Sequence, residues 1–124
     1  MSANRIPLVL PEELKQSWRN RPLEVDTAAL EDDLRRGVSG EVRFDAGSKA
    51  LYATDGSNYR QVPIGVVIPK SKDDVIGTIA ACRKFGAPLL SRGGGTSLAG
   101  QCCNVAVVID WSKYLHNILE LNPE

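Results

Sequence analysis

The sequence contains few of the residues that mark specialised protein classes. Its three cysteines and one histidine make a poor disulfide framework, and no spacing among them resembles a zinc or iron–sulfur site. No apolar run approaches the ~18 residues of a membrane span. The first ten residues also lack the apolar core and cleavage site of a signal peptide. We therefore expect free thiols in a reducing, cytoplasmic compartment and no bound metal.

The chain also lacks a net charge, because 15 basic and 15 acidic side chains cancel within its 124 residues. This balance gives no electrostatic reason to expect nucleic acid or an anionic membrane surface as a partner. Hydrophobic residues make up 43% of the chain, an ordinary value for a globular protein. One small folded domain is the class that remains.

The first 40 residues predict a helical segment. One short helix is predicted from Pro11 to about Trp18, because proline is favoured at a helix start. A second helix shows the features of a capped amphipathic element: a cap at Asp26 or Thr27, an apolar pair at Leu30 and Leu34, and a stop at Gly37. Residues 38–61 are rich in turn formers, with Asp55-Gly56 as the strongest turn signal, and we expect mostly loop there.

Residues 62–110 predict an α/β unit. The runs "IGVVIP" and "VAVVID" are typical of strands buried in a parallel sheet, and "APLLS" is predicted as a further buried strand between them. The segment "SKDDVIGTIAACRKFG" predicts a helix that ends at Gly86. It begins with an approximate capping box, Ser71 and Asp74, and its predicted apolar stripe is Val75, Ile76, Ile79 and Cys82 or Arg83. The predicted fold class is α/β, with a small parallel sheet of about three strands flanked by helices. Residues 111–121 predict a turn and then a short strand or helix.

The segment "SRGGGTSLAGQ", residues 91–101, carries the strongest chemical signal. Three consecutive glycines directly after a strand leave several backbone N–H groups uncrowded, and such N–H groups form an anion-binding concavity. Thr96 and Ser97 add hydroxyl donors, and Arg92 adds a positive charge. The segment therefore predicts a phosphate or pyrophosphate site. The alternative is a tight loop that uses glycine for its backbone conformation alone.

Neither standard nucleotide motif fits this segment. Gly95 and Gly100 have the spacing of a P-loop, but Gln101 stands where that motif requires lysine. Gly93 and Gly95 begin a dinucleotide fingerprint, but Leu98 stands at its third glycine. Reasoning from the residues alone therefore ends at a ligand that contains a diphosphate, of unknown class.

The stretch from "PIGVVIPKSKDD" through "SRGGGTSLAGQCCNVAVVID" resembles the FAD-binding domain of the vanillyl-alcohol-oxidase/p-cresol-methylhydroxylase family. Its greatest resemblance is to the branch of FAD-linked oxidases that act on D-lactate, glycolate and D-2-hydroxyglutarate. The upstream "YATDGSNYRQVP" resembles the same branch. The resemblance covers roughly residues 45–124 and implies the first subdomain of a PCMH-type FAD-binding fold.

The resemblance also implies a set of FAD-binding residues. Pro69 would lie near the adenine, residues 92–97 would surround the pyrophosphate mainly with backbone N–H groups, and Gly100 and Gln101 would continue this wall towards the flavin. Thr96 stands where covalent members of the family carry histidine, so non-covalent FAD is implied. The full set is Pro69, Arg92, Gly93, Gly94, Gly95, Thr96, Ser97, Gly100 and Gln101.

The implied protein is a flavin-dependent oxidoreductase that oxidises a small 2-hydroxy acid. Residues 1–40 would be a helical segment and residues 41–124 a partial FAD-binding domain, truncated at its C-terminus. We expect substrate contacts to come from regions outside these residues, and the chain alone to be inactive and to self-associate. No catalytic residue is identified. One alternative function is a non-catalytic nucleotide-binding or interaction domain that uses the same loop. A second is an enzyme that acts on a phosphate-containing ligand without flavin, which would need an acid/base pair near the loop.

Eight further positions have both a functional and a structural interpretation. We favour a solvated surface residue at His116, a packed core thiol at Cys82 and a turn cap at Asp110 over catalytic or ribose-binding roles. Cys102 and Cys103 are expected to pack beside the loop. The remaining aromatic and acidic residues, Tyr52, Asp55 and Tyr59, either cover the cofactor or order a loop.

Overall fold

A computed structural model describes residues 24–124, which form a four-stranded sheet with helices packed beside it. The elements in chain order are α1 (Thr27–Gly37), β1 (Glu41–Arg43), α2 (Ala46–Leu51), β2 (Gly65–Ile68), α3 (Lys72–Phe85), β3 (Leu89–Arg92) and β4 (Val107–Asp110). The strand order is β1-β2-β4-β3. Strands β2, β4 and β3 are parallel, and β1 runs antiparallel to β2. The predicted α/β class with three parallel strands is confirmed, and the structure adds a fourth strand.

The two central strands form the middle of the core. Every residue of β2 and β4 is buried, as expected for β-branched runs in a parallel sheet. The expectation that β3 is equally buried is wrong, because β3 lies at the sheet edge and pairs with β4 alone among the described residues. Its residues alternate between exposed and half-buried, and Leu89 is 38% exposed.

Residues 38–61 contain regular structure where the sequence predicted mostly loop. Strand β1 has only three residues, and Val42 is its one buried apolar residue. Such a short segment cannot show the period-two pattern by which a strand is recognised in a sequence. It forms because its backbone pairs with β2, in register Val42 to Val67. Helix α2 is also short and contains a glycine. Its N-cap is Asp45, whose carboxylate accepts a hydrogen bond from the N–H of Ser48 at 2.8 Å.

Glu41 joins β1 to the segment that follows β4. Its carboxylate accepts from Lys113 Nζ at 2.7 Å and from the Tyr114 hydroxyl at 3.0 Å, and it pairs with Arg43. The hydrogen bonds from Lys113 and Arg43 lower the pKa of Glu41 to about 2. Residues 111–124 form turns and irregular chain, and the short strand or helix allowed by the sequence is absent from that part.

The predicted helix starts are largely confirmed. Asp26 caps α1 by accepting from the N–H of Ala29 at 3.0 Å. Ser71 caps α3 by accepting from the N–H of Asp74 at 3.2 Å. The return half of the predicted capping box is wrong, because the Asp74 carboxylate accepts instead from the N–H groups of Ser39, at 2.8 Å, and Lys70, at 2.9 Å.

The predicted apolar stripe of α3 is wrong for most of its members. Ile76 and Ile79 are 54% and 47% exposed, and Arg83 is exposed. The buried residues of the helix are Asp74, Thr78, Ala81 and Cys82. Small and hydrogen-bonded residues fill this face because α1 packs closely beside it: a Cβ at Gly77 would lie 3.2 Å from the carbonyl oxygen of Gly37. Burial raises the pKa of Asp74, but the hydrogen bonds from Lys70 and Ser39 outweigh it, and that pKa is lowered.

Leu30 and Leu34 of α1 are fully buried and share one core with Val67 and Val107. Helix α1 therefore shares its core with strands β2 and β4 of the sheet. The helix predicted near Pro11 to Trp18 lies outside the described residues. Within residues 24–124, no helix has both the length and the apolarity to cross a membrane.

Candidate functional site

The carboxyl ends of the three parallel strands meet at one edge of the sheet. Pro69 follows β2, Gly93 follows β3 and Trp111 follows β4. Ligands of parallel α/β sheets bind at this edge. Because β4 lies between β2 and β3, the chain after Pro69 and the chain after Arg92 are separated by two strand spacings, about 10 Å.

The glycines of residues 93–101, here called the glycine-rich loop, are of two kinds. Gly95 and Gly100 have φ of +69° and +80°, a conformation that side chains rarely adopt. Each is also crowded, because a Cβ at Gly95 would meet the Arg92 guanidinium and a Cβ at Gly100 would lie 2.8 Å from the Tyr59 ring. Gly93 and Gly94 have neither constraint: a Cβ at Gly93 meets nothing within 4 Å, and one at Gly94 makes an ordinary 3.6 Å contact with Thr96.

The backbone of the loop presents unused donors. Within residues 24–124, the N–H groups of residues 93–97 donate no hydrogen bond. Consecutive backbone N–H groups that have no partner within the protein can bind a phosphate, and in this part of the chain two of the five lie on glycines open to their surroundings.

The loop side chains differ in what they offer a ligand. The Ser97 hydroxyl is used inside the loop, where it pairs with the Gln101 side chain and accepts from the N–H groups of Ala99 and Gln101 at 3.4 and 3.3 Å. Thr96 is exposed, and Leu98 at the loop tip is 83% exposed. Thr96 is therefore the loop hydroxyl that remains open to a ligand.

The other two predicted ligand side chains are held by the protein. Pro69 is fully buried at the end of β2. Arg92 turns back under the loop, and its Nη1 donates to the carbonyl oxygens of Thr54 at 2.8 Å and Cys102 at 2.9 Å. Its guanidinium also lies over the Tyr52 ring, 5.2 Å from the centroid.

Residues 52–60 form the second half of the site, which the sequence left open between a cofactor cover and an ordered loop. Asp55 accepts from the N–H of Cys102 at 3.1 Å, and Tyr59 packs on Gly100. Gly56 contacts the loop backbone so closely that a Cβ there would lie 3.0 Å from the Ser97 carbonyl oxygen. The Asp55-Gly56 turn was visible in the sequence, but its contact with a loop about 40 residues later in the chain had no local signal.

Asp110 closes the carboxyl end of β4. Its Oδ1 accepts from the backbone and hydroxyl of Ser112, as in a turn cap, and its Oδ2 accepts from the Tyr52 hydroxyl at 2.5 Å. Burial raises the pKa of Asp110, but the hydrogen bonds from Ser112 and Tyr52 outweigh it, so that pKa lies below its ordinary value. Burial and this carboxylate raise the pKa of Tyr52 to about 12, so the phenol stays protonated at neutral pH.

The remaining candidates take structural places. His116 is exposed beyond β4. Cys82 is a fully buried thiol of α3, and burial raises its pKa to about 11. Cys102 is half-buried, and Cys103 is buried with its Sγ directed at the carbonyl oxygens of Gly100 and Tyr59. These three thiols are free.

Comparison with protein families identifies the class of this fold and site. Residues 63–124 match the family model described as the FAD binding domain. The match begins just before β2 and includes β3, the glycine-rich loop and β4. The chain belongs to this family, and the expected family and its cofactor, FAD, are confirmed.

Curated relatives narrow the comparison. The chain is 33% identical over 98 residues to D-2-hydroxyglutarate dehydrogenase of Escherichia coli (strain K12), which covers 77% of this chain and 10% of that protein. It is 32% identical over 99 residues to the mitochondrial D-lactate dehydrogenase (cytochrome) of Kluyveromyces lactis, covering 77% of this chain and 17% of the relative. The chain thus spans less than a fifth of the length of either relative.

A solved structure of p-cresol methylhydroxylase with substrate bound has a similar fold. It superposes with a TM-score of 0.65 at 16% sequence identity, covering 78% of this chain and 20% of that one. At this identity the similarity concerns the fold alone. It confirms the expected PCMH-type architecture.

Proposed function

We propose that this chain holds the pyrophosphate of FAD in its glycine-rich loop, as part of a flavin-dependent oxidoreductase that oxidises a small 2-hydroxy acid. The observation that carries the proposal is the run of N–H groups at residues 93–97, which donate no hydrogen bond to any described residue and lie at the carboxyl edge of a parallel sheet. An FAD binding domain needs a diphosphate site, and these donors supply one.

The proposed cofactor residues are those expected from the sequence except Arg92, whose side chain binds main-chain carbonyl oxygens, and their roles are refined by their contacts. Backbone N–H groups of Gly93, Gly94 and Gly95 and the exposed Thr96 would face the pyrophosphate. Ser97, Gly100 and Gln101 would shape the wall of the site, with Pro69 further along the same edge. Because Thr96 has no imidazole, we propose that FAD is bound non-covalently.

The substrate class rests on the relatives, whose names give D-2-hydroxyglutarate and D-lactate as substrates. We propose a 2-hydroxy acid of this type. The flavin of bound FAD supplies a hydride acceptor. This chain's own part is to bind and orient the cofactor, and the groups that bind the substrate carboxylate would come from residues outside it.

We propose that residues 1–40 are a helical segment and that residues 41–124 are the first part of the FAD-binding domain, with α1 packed on it. The family match, which lies at residues 63–124, supports placing the FAD-binding part in the later segment. A cytoplasmic location is proposed from the three free thiols, which suit a reducing compartment.

We also propose that the 124-residue chain by itself self-associates and has no turnover. Strand β3 is an edge strand, and Ile118 and Leu119 are 86% and 95% exposed. Unpaired edges and exposed apolar residues favour association. Light scattering of the chain, together with a dye-linked assay on D-lactate, tests both statements. Turnover by a monodisperse monomer contradicts them.

The absorption spectrum of the purified full-length protein tests the function. We expect a flavin band near about 450 nm that is bleached anaerobically by one of the 2-hydroxy acids. Acid precipitation should release all of the flavin to the supernatant. A full-length protein that neither retains nor rebinds FAD contradicts the proposal, and flavin left in the pellet contradicts non-covalent binding.

A further inference from the structure

Arg92 makes contacts that differ from those of a phosphate ligand. It is the last residue of β3, yet its side chain does not extend beyond the strand. Nη1 instead donates to Thr54 and Cys102 at 2.8 and 2.9 Å, with the Tyr52 carbonyl oxygen at 3.5 Å. These acceptors are main-chain groups, and they lie on two segments that are separate in sequence.

The two shorter contacts close the glycine-rich loop upon itself. Arg92 precedes the loop and Cys102 follows it, so the bond between them joins the two ends of this segment of the chain. The bond to Thr54 fixes the same guanidinium to the turn on which the loop packs. One side chain therefore holds both ends of the loop and its support.

Asp55 completes this arrangement from the other side. Its Oδ2 accepts from the N–H of Cys102 at 3.1 Å, while Arg92 binds the carbonyl oxygen of the same residue. The Asp55 pKa is lowered, first by the hydrogen bonds from Ser57 and also by the nearby charge of Arg92. Cys102 is thus held through both of its main-chain polar groups by a pair of opposite charges.

The position of Gly95 indicates where the guanidinium lies relative to the loop. A Cβ on Gly95 would collide with Nη2 and Cζ of Arg92, so the loop backbone passes directly over the guanidinium. Gly93 and Gly94, by contrast, are open. The arginine supports the loop from within the protein, and the open glycines lie where a ligand can approach.

We propose that Arg92, together with Asp55, is a positioning residue that holds the glycine-rich loop in its anion-binding shape through the main chain of Thr54 and Cys102. The inference rests on the proposed function, in which that loop binds the FAD pyrophosphate. It assigns the arginine a geometric role, where the sequence alone indicated a charge that meets the phosphate.

The test combines a readout without flavin and a readout with it. Hydrogen exchange of the peptide spanning residues 99–103 is measured in the flavin-free full-length protein for R92Q, R92K and D55A. FAD dissociation constants are measured for the same variants and for the double variant R92Q/D55A. The matched control is R83Q, which removes an exposed arginine in the last turn of α3. That turn precedes the start of β3, whereas the loop follows the end of β3.

We expect R92Q and D55A each to raise exchange in this peptide at least about tenfold and to weaken FAD binding at least about tenfold. The dissociation constant of the double variant for FAD should be no more than about threefold above that of the single variant that binds FAD less tightly, because both changes release the same loop. R92K should resemble R92Q, since the lysine side chain is shorter than that of arginine and does not place its nitrogen at the position of Nη1, which binds both carbonyl oxygens. R83Q should match the wild type in both measurements.

Two results would overturn the inference, and a third would overturn only the proposed function on which it rests. Unchanged exchange in R92Q means that Arg92 does not hold the loop. Additive losses of FAD affinity in the double variant, with R92K close to wild type, mean that the charge meets the phosphate directly. Raised exchange with unchanged FAD binding means that Arg92 and Asp55 hold the loop as described but that the loop does not bind FAD. This outcome distinguishes failure of the proposed function from failure of the positioning role.

Discussion

Gly94 and its neighbours can be tested separately, because the fold requires some loop glycines and leaves others free. Alanine at Gly93 or Gly94 meets no backbone and needs no left-handed φ. Alanine at Gly95 must adopt φ near +69° and displace the Arg92 guanidinium. The substitutions therefore separate a requirement of the ligand from a requirement of the protein.

The expected magnitudes follow from these differences. A left-handed alanine costs about 1–2 kcal/mol, so Gly95→Ala should lower the free energy of unfolding by at least that amount. Gly93→Ala and Gly94→Ala should raise the free energy of unfolding by up to about 1 kcal/mol, because alanine restricts the unfolded chain. If FAD approaches the bare backbone at these two positions, each alanine should weaken FAD binding at least about tenfold, or about 1.4 kcal/mol.

The assay pairs urea unfolding with FAD titration of the full-length protein. Gly86→Ala is the matched control for backbone strain, since Gly86 has φ of +67° and an added Cβ would meet nothing within 4 Å. It should lose stability and retain FAD affinity. Gly94→Val gives the strongest test, because its larger side chain should block the approach of the pyrophosphate. Unchanged FAD affinity in Gly94→Val would refute the assignment of the loop as the pyrophosphate site.

Three further predictions concern stability and thiol reactivity. Because the pKa of Glu41 falls from 4.5 to about 2 on folding, its contribution is present above pH 4.5 and is lost as the pH falls towards 2. Glu41→Gln should therefore show a smaller decline in urea midpoint across that interval, and an unchanged decline contradicts it. Tyr52→Phe removes the 2.5 Å hydrogen bond to Asp110 and should destabilise the fold by about 1.5 kcal/mol, measured by urea unfolding; an unchanged midpoint would show that this bond adds nothing. In the native chain an alkylating reagent should label the half-buried Cys102 well before Cys82, whose pKa is about 11, with the urea-unfolded chain as control for equal reactivity, and early labelling of Cys82 contradicts its burial.

Local sequence patterns determined the elements whose signals lie within a few consecutive residues. The apolar β-branched runs identified β2 and β4, and Ser71 and Gly86 marked the two ends of α3. The glycine-rich segment after β3 was recognisable from its composition alone. Consecutive glycines after a strand leave backbone N–H groups uncrowded, and uncrowded N–H groups are what an anion site requires. These features depend on the pattern of apolar residues and on local conformational preferences at helix ends and turns. Both can be read from neighbouring residues without knowing the fold.

Tertiary structure decided everything that depends on which distant segments meet. Three residues became β1 because β2 offered a free edge, and the exposed face of α3 carries Ile76 and Ile79 because α1 takes the face with small residues. Arg92 became a main-chain clamp because its strand ends beside a turn about 40 residues earlier in the chain. No local pattern encodes such a contact, since the energy of burying a face or pairing a donor depends on the partner that the fold supplies.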